Sequence, residues 1–218
     1  MKKHHHRIAV VSAAFAGLLA LAAVAWAATT SIRHARDLPL GTTVTVEGVV
    51  TTPSGAFQPN DGGFAIQTGN AGIYVHDALG GSYVVGEKVR VTGALAQSFG
   101  QVLGVQPTAI ARRGAGHVPH AAWTRTGEVD EDTEGRLVRV RGVVTDAVFD
   151  DAPYGWIFHV DDGSAPITIF VYTGTGIDVS EIDQGDEIEV TGFSGQFLDH
   201  FEIDPRFQSD LELVEDCH

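Results

Sequence analysis

The chain has 218 residues, of which 44% are apolar and 19% charged, with 26 glycines and a formal net charge of −14. This balance excludes a disordered chain, and the length allows one large or two small domains. The acid surplus disfavours a surface built to neutralise phosphates and favours solubility, cations or basic partners.

Residues 1–27 stand apart from the rest. Lys2, Lys3 and Arg7 precede an apolar run from Ile8 to Ala27, and Ala25-Trp26-Ala27 sets small residues at the −3 and −1 positions of a cleavage site. A secretory signal peptide is expected there. An uncleaved anchor is the alternative, because the run is long enough to span a bilayer. Either way the remainder is expected to be exported, periplasmic or extracellular, and free of the membrane once the signal is cut. Cys217 is the single cysteine, so no intrachain disulfide forms and packing alone must hold the fold. Without residues 1–27 the balance is 11 basic against 28 acidic residues, a net of −17. The acids are unevenly spread. Residues 28–115 hold six basic and five acidic side chains, whereas residues 116–218 hold five and 23.

In chain order, Ile32, Ala35 and Leu38 share one helical face, which predicts a brief helix closed by Pro39 and Gly41. Residues 42–52 alternate as a half-buried strand, with Gly48 marking a bulge or a sharp coil. A loop carrying Phe57 leads to a second strand at 64–67, a turn at Gly69-Asn70-Ala71-Gly72, and a third strand at 73–76. A crossover leads to a fourth strand at 88–95 and a fifth at 101–105, which Pro107 is expected to close. Residues 116–136 read as a linker or lead-in whose Trp123 should pack against a barrel bottom or between the repeats. The plan then recurs, with strands at 137–145, 156–160, 167–172, 188–193 and 201–203.

The recurrence is literal in two places. Val46-Glu47-Gly48-Val49-Val50-Thr51 returns as Val140-Arg141-Gly142-Val143-Val144-Thr145, and Gly86-Glu87-Lys88-Val89-Arg90-Val91-Thr92-Gly93 returns as Gly185-Asp186-Glu187-Ile188-Glu189-Val190-Thr191-Gly192. One module is written twice, over residues 28–115 and 137–218. Five short strands per unit, a glycine in the first and a connection between the third and fourth match the five-stranded Greek-key barrel, the OB-fold. A β-sandwich would need about seven strands per domain. The predicted fold class is all-β: two tandem OB-fold barrels.

The run from Ile32 to Thr51, then Gly63-Phe64-Ala65-Ile66-Gln67, Gly72-Ile73-Tyr74-Val75 and the first of the glycine-bounded strands above, resembles the OB-type module ahead of the catalytic domain in bacterial secreted nucleases. The likeness covers residues 30–112 well and the second copy loosely. It implies a nucleic-acid-binding accessory role. The sequence departs from that family in carrying no nuclease domain after the second barrel. Export and architecture also resemble the small periplasmic bacterial OB-fold proteins.

OB-folds bind ligands on the outer face of strands two and three, walled by the loops after strands one and four. Alternation sets Gln67, Tyr74 and His76 outward in the first copy and His159, Phe170 and Tyr172 outward in the second. Phe57, Phe99, Phe149 and Tyr154 fall in the wall loops. These rings form a stacking platform for bases or sugars, or cross-strand pairs that stabilise the sheet, or the buried contact between the two barrels. Arg90, Arg112 and Arg113 would be the phosphate partners of a single-stranded nucleic acid. The alternative is a protein-interaction module whose acidic second barrel takes a basic protein partner or divalent cations. The Asp150-Asp151, Asp161-Asp162 and Asp183 to Glu187 clusters lack EF-hand spacing and read as solvated surface, so no metal or cofactor is assigned. Neither GxSxG, HExxH nor a P-loop occurs, and the neighbours of His200 alternate faces, so no enzyme activity is expected.

Overall fold

The computed structural model describes residues 28–57, 62–98 and 102–214. The segment read as a signal peptide, Phe99 and Cys217 lie outside the described residues. Within them, no helix is long and apolar enough to cross a membrane.

The chain opens with the short helix α1 (Ile32–Arg36), capped by the Ser31 hydroxyl, which accepts from the His34 amide at 3.2 Å. Five strands follow: β1 (Thr43–Thr52), β2 (Phe64–Thr68), β3 (Ala71–Val75), β4 (Glu87–Ser98) and β5 (Val102–Ala115). They close as a barrel in the order β1-β2-β3-β5-β4, with β4 returning to β1. The pair β3–β5 is parallel and the others antiparallel. Ile32 and Ala35 insert into the same apolar core as Val46, Phe64, Ile73 and Val91, so the helix plugs the barrel. Phe64 stacks on Tyr83 from the crossover at 4.7 Å between centroids.

The second half contains β6 (Ala122–Trp123), β7 (Leu137–Val144), β8 (Phe149–Asp151), β9 (Gly155–Asp161), β10 (Ile167–Tyr172), β11 (Glu187–Phe197), β12 (His200–Asp204) and β13 (Leu211–Leu213). Strands β7, β9, β10, β12 and β11 pair in the same cyclic order as the first barrel, with β10–β12 parallel and β11 returning to β7. The repeat is thus a repeat of topology: Val46 faces Val91 in one barrel and Val140 faces Val190 in the other. The fold is a pair of OB barrels. Gly48 and Gly142 have equivalent jobs. A Cβ on Gly48 would stand 3.2 Å from the Gln67 backbone, and one on Gly142 would stand 2.6 Å from the Asp161 carbonyl. At Gly142 only glycine lets the next strand cross so close, and at Gly48 a side chain would crowd it.

Two expectations are corrected. Pro107 does not close the fifth strand: β5 runs on to Ala115, because the register between β4 and β5 shifts there, with Thr92 facing Ala109 and Gly93 facing Pro107. A bulge is where a residue without an N–H fits a ladder. Trp123 is not buried between elements. It lies on the edge strand β6 at 62% exposure, with the Arg139 guanidinium 5.6 Å from its ring centre. The linker therefore pairs with the second barrel through β6, and the short strands β8 and β13 extend that sheet.

Candidate functional site

The outer faces of the two barrels meet different fates. On the first barrel, alternation does turn Gln67, Tyr74 and His76 away from the core, but they are 2%, 4% and 6% exposed. Of the readings left open for these side chains, the buried contact between the barrels is the one met here: the second barrel sits on them. Phe193, at the bend of β11, packs 5.9 Å from Tyr74 and 5.7 Å from Phe57 between ring centres, and Tyr172 lies 5.1 Å from Phe57. The Leu137 amide donates to Gln67 Oε1 at 2.9 Å, and Arg206 Nη1 donates to the Thr51 carbonyl at 2.8 Å. The backbones touch at Gly72 and Gly135, where a Cβ on Gly72 would fall 1.7 Å from the Gly135 oxygen. His76 Nε2 lies 3.3 Å from the Ala96 carbonyl.

At the edge of this seam, Arg36 from α1 meets Glu134 at 3.0 Å and Glu131 at 3.3 Å. Burial raises the Glu134 carboxyl, while Arg36 and the Leu103 amide, which donates to Glu134 at 3.2 Å, pull it back down. A polar cleft of about 140 Å³ opens here, lined by Arg33, Arg36, Asp37, Asn70, Glu131 and Arg136 among others. Arg36 is committed there to Glu131 and Glu134.

The outer face of the second barrel remains partly open. Phe170 and Tyr172 stand on β10 with ring centres 4.4 Å apart, as the alternation predicted. Phe170 faces Ile157 across the β9–β10 pair, and Ile157 faces Phe149 on β8. Gly155 makes room for the platform, because a Cβ there would meet the Phe170 ring at 2.8 Å. Phe149 and Tyr154 are among the most exposed apolar side chains of the fold, at 62% and 66%. His159 is oriented by Asp146, with Nδ1 2.7 Å from Oδ2. The strip is bordered by Asp150 and Asp151 on β8.

Arg90, Arg112 and Arg113 are not gathered at either face. Arg90 pairs with Glu47 at 3.0 Å, Arg112 with Glu87 at 2.5 Å and Arg113 with Glu47 at 3.9 Å. Arg112 also lies eight residues along β5 from Gly104, the partner of Tyr74, which is roughly 26 Å of strand. The arginines of the second barrel are engaged in the same way: Arg139 with Glu189, Arg141 with Glu187, and Arg206 with Asp210.

Sequence reasoning grouped Glu202 and Asp204 with Asp199 and His200 and set the cluster aside because adjacent strand residues alternate faces. Glu202 and Asp204 point from the same side of β12, 5% and 3% exposed, beside Phe193 and Tyr172. Asp204 Oδ1 has no hydrogen-bond partner among the described residues. Burial pushes Glu202 up to about 7, and burial together with the Glu202 charge pushes Asp204 well up. The signal was available in the sequence, since Glu202 and Asp204 flank the core residue Ile203 and so must share the opposite face. Asp162 moves the other way. The Ser164 hydroxyl, with help from Thr126, holds it down at about 2. Among the described residues, no three His, Cys, Asp or Glu side chains converge as a metal would require.

The strand order and register define a tandem OB-fold molecule. No protein-family model matches the chain, and no curated protein does. Among solved structures it is similar to the OB domain of a Methanosarcina mazei protein, with 13% identity and a TM-score of 0.38 over 45% of this chain and 88% of that one. It is also similar to a replication protein A heterotrimer bound to single-stranded DNA, with 19% identity and a TM-score of 0.33 over 44% and 83% of the two chains. A murine DNA-binding protein bound to double-stranded DNA aligns over 80% of this chain and 97% of its own, with 10% identity and a TM-score of 0.42. The fold assignment itself rests on the strand pairing.

Proposed function

We propose that this is an exported, non-catalytic OB-fold binding protein whose ligand seat is the outer face of the second barrel. Its ligand class is a basic segment of a partner protein. One observation carries the reading. The first barrel's face is occupied by the second barrel, while the second presents an exposed Phe149 beside the half-buried Ile157 and Phe170, bordered by Asp150 and Asp151. Lys and Arg stems lie along apolar rings while their charged ends meet carboxylates, so this surface is complementary to such a segment. The acid surplus of residues 116–218, whose arginines are already engaged, supplies long-range attraction for it. Export rests on the residue pattern of positions 1–27.

Single-stranded nucleic acid is the other reading. It is supported by the resemblance to nuclease accessory modules and by the paired rings, on which bases could stack. The arginines that would meet its phosphates are tied to carboxylates. The test is fluorescence anisotropy of the protein without residues 1–27, with a labelled Lys-rich peptide and a labelled oligonucleotide as parallel probes over a salt series. Peptide binding that weakens about tenfold in Phe149→Ala/Phe170→Ala supports the proposal. Oligonucleotide binding that falls steeply with salt, with the peptide inert, replaces it by the nucleic-acid reading. Neither probe binding sinks both.

A further inference from the structure

The first barrel's outer face is closed by a seam that contains a flaw. Glu202 and Asp204 project into it from β12 and are almost fully enclosed. The groups around them come from every wall. Tyr172 stands on β10 and Tyr74 approaches from β3 of the first barrel, with His76 beside it at 5.5 Å between rings. His200 lies 3.9 Å from the Glu202 carboxylate. Arg206 follows β12, but its guanidinium is committed to Asp210 at 2.8 Å and to the Thr51 carbonyl. No arginine or lysine among the described residues pairs with either acid. The enclosure is therefore built for two neutral carboxyls, and two ionised ones in this space would repel each other with no arginine or lysine to offset them.

We propose that the seam is a proton-dependent latch: with Glu202 and Asp204 neutral, the second barrel covers the Gln67–Tyr74–His76 face of the first, and ionisation of the pair opens the seam and uncovers that face. The first barrel would then be an autoinhibited binding surface, open in alkaline and closed in acidic surroundings. The sign follows from the direction of the shift. A carboxyl raised by burial lends full stability below its ordinary value of 4.5 and loses it as pH climbs through about 7. The latch is independent of the ligand assigned to the second barrel.

Amide hydrogen exchange, corrected for its intrinsic pH dependence, tests it on the chain without residues 1–27. The Leu137 amide, bonded across the seam to Gln67, reports the latch. The Val91 and Val190 amides, inside their barrels, report global unfolding. The expected result is that protection at Leu137 falls as pH rises through about 7, by up to about tenfold per pH unit for each carboxyl, while the two core amides hold. Glu202→Gln/Asp204→Asn should flatten the Leu137 profile, and Glu202→Gln alone should lower its slope should the double variant fail to fold. An unchanged slope in either folded variant overturns the latch. So does loss of protection at all three amides together in the unmodified chain.

Discussion

The backbone amide of Leu137, the first residue of the second barrel, donates to the side-chain oxygen of Gln67 in the first at 2.9 Å. Both groups are buried, so this bond substitutes for water that neither can reach. Gln67→Ala should therefore destabilise the chain by about 1–3 kcal/mol, the cost of an orphaned buried donor. Gln67→Glu keeps the acceptor but buries a charge, and should also destabilise. Urea unfolding followed by circular dichroism checks this, with the slope unchanged and the midpoint lowered.

Gly72 and Gly135 allow the two backbones to touch. Gly72→Ala puts a methyl group 1.7 Å from the Gly135 carbonyl, which no rotamer can relieve. A loss of about 1–3 kcal/mol is expected, as for other overpacked sites. Gly80→Ala is the comparison. Gly80, unlike Gly72, is a left-handed glycine, with no atom within 4 Å of the added carbon, so its cost should be that of conformation alone. Melting temperatures of the two variants separate contact from backbone strain.

Arg36 bridges α1 to the linker through Glu134, whose side chain is 1% exposed. Arg36→Ala leaves that carboxylate enclosed and should cost about 3–5 kcal/mol. Its second partner, Glu131, is 70% exposed, and Glu131→Ala should cost less than about 1 kcal/mol. Arg36→Met combined with Glu134→Gln removes both charges yet keeps an acceptor for the Leu103 amide, and should recover most of the loss. A double-mutant cycle by chemical denaturation measures the coupling.

Asp162 anchors the β9–β10 turn to residues 126–128. It accepts from the Thr126 hydroxyl at 2.9 Å and from the amide of Ser164 at 2.9 Å. Because its carboxyl is held down at about 2, the stability it lends is present above the ordinary 3.8 and is lost as pH falls through about 2. Asp162→Asn should lower the melting temperature at neutral pH, and the gap from the unmodified chain should close on acidification. A gap that stays constant with pH would assign the effect to geometry and not to charge.

The barrels were legible from the sequence because the information was local. Alternation in residues 42–52, the repeated Val-x-Gly-Val-Val-Thr run and its later glycine-bounded partner fix strands, order and core together. Alternation also set the direction of Tyr74 and Phe170 correctly. What it cannot say is what lies beyond an outward side chain. By strand register His76 and Phe170 hold equivalent places, each one residue past the core pair Phe64–Val75 or Phe158–Ile169, yet His76 is enclosed beneath the neighbouring barrel and Phe170 is half-buried beside the exposed Phe149. That difference depends on how the residues 116–136 steer the second barrel, and on contacts such as Gly72 against Gly135 that are distant in sequence. Pro107 and Trp123 misled for the same reason. A bulge and an edge strand are products of pairing, and each overrode the ordinary preference of the residue.

The backbone contact at Gly72 also bears on how such a chain can change over generations. A duplicated module is usually free to drift, since one copy can hold the old role while the other wanders. Here the copies have become each other's environment. The first has spent its outer surface on its sibling, so a cut near residue 116 would release two halves with Phe57 and Tyr74 bare on one and Phe193 bare on the other. Selection therefore acts on the couple, and a recombination that transplants a single copy would carry an adhesive wound with it.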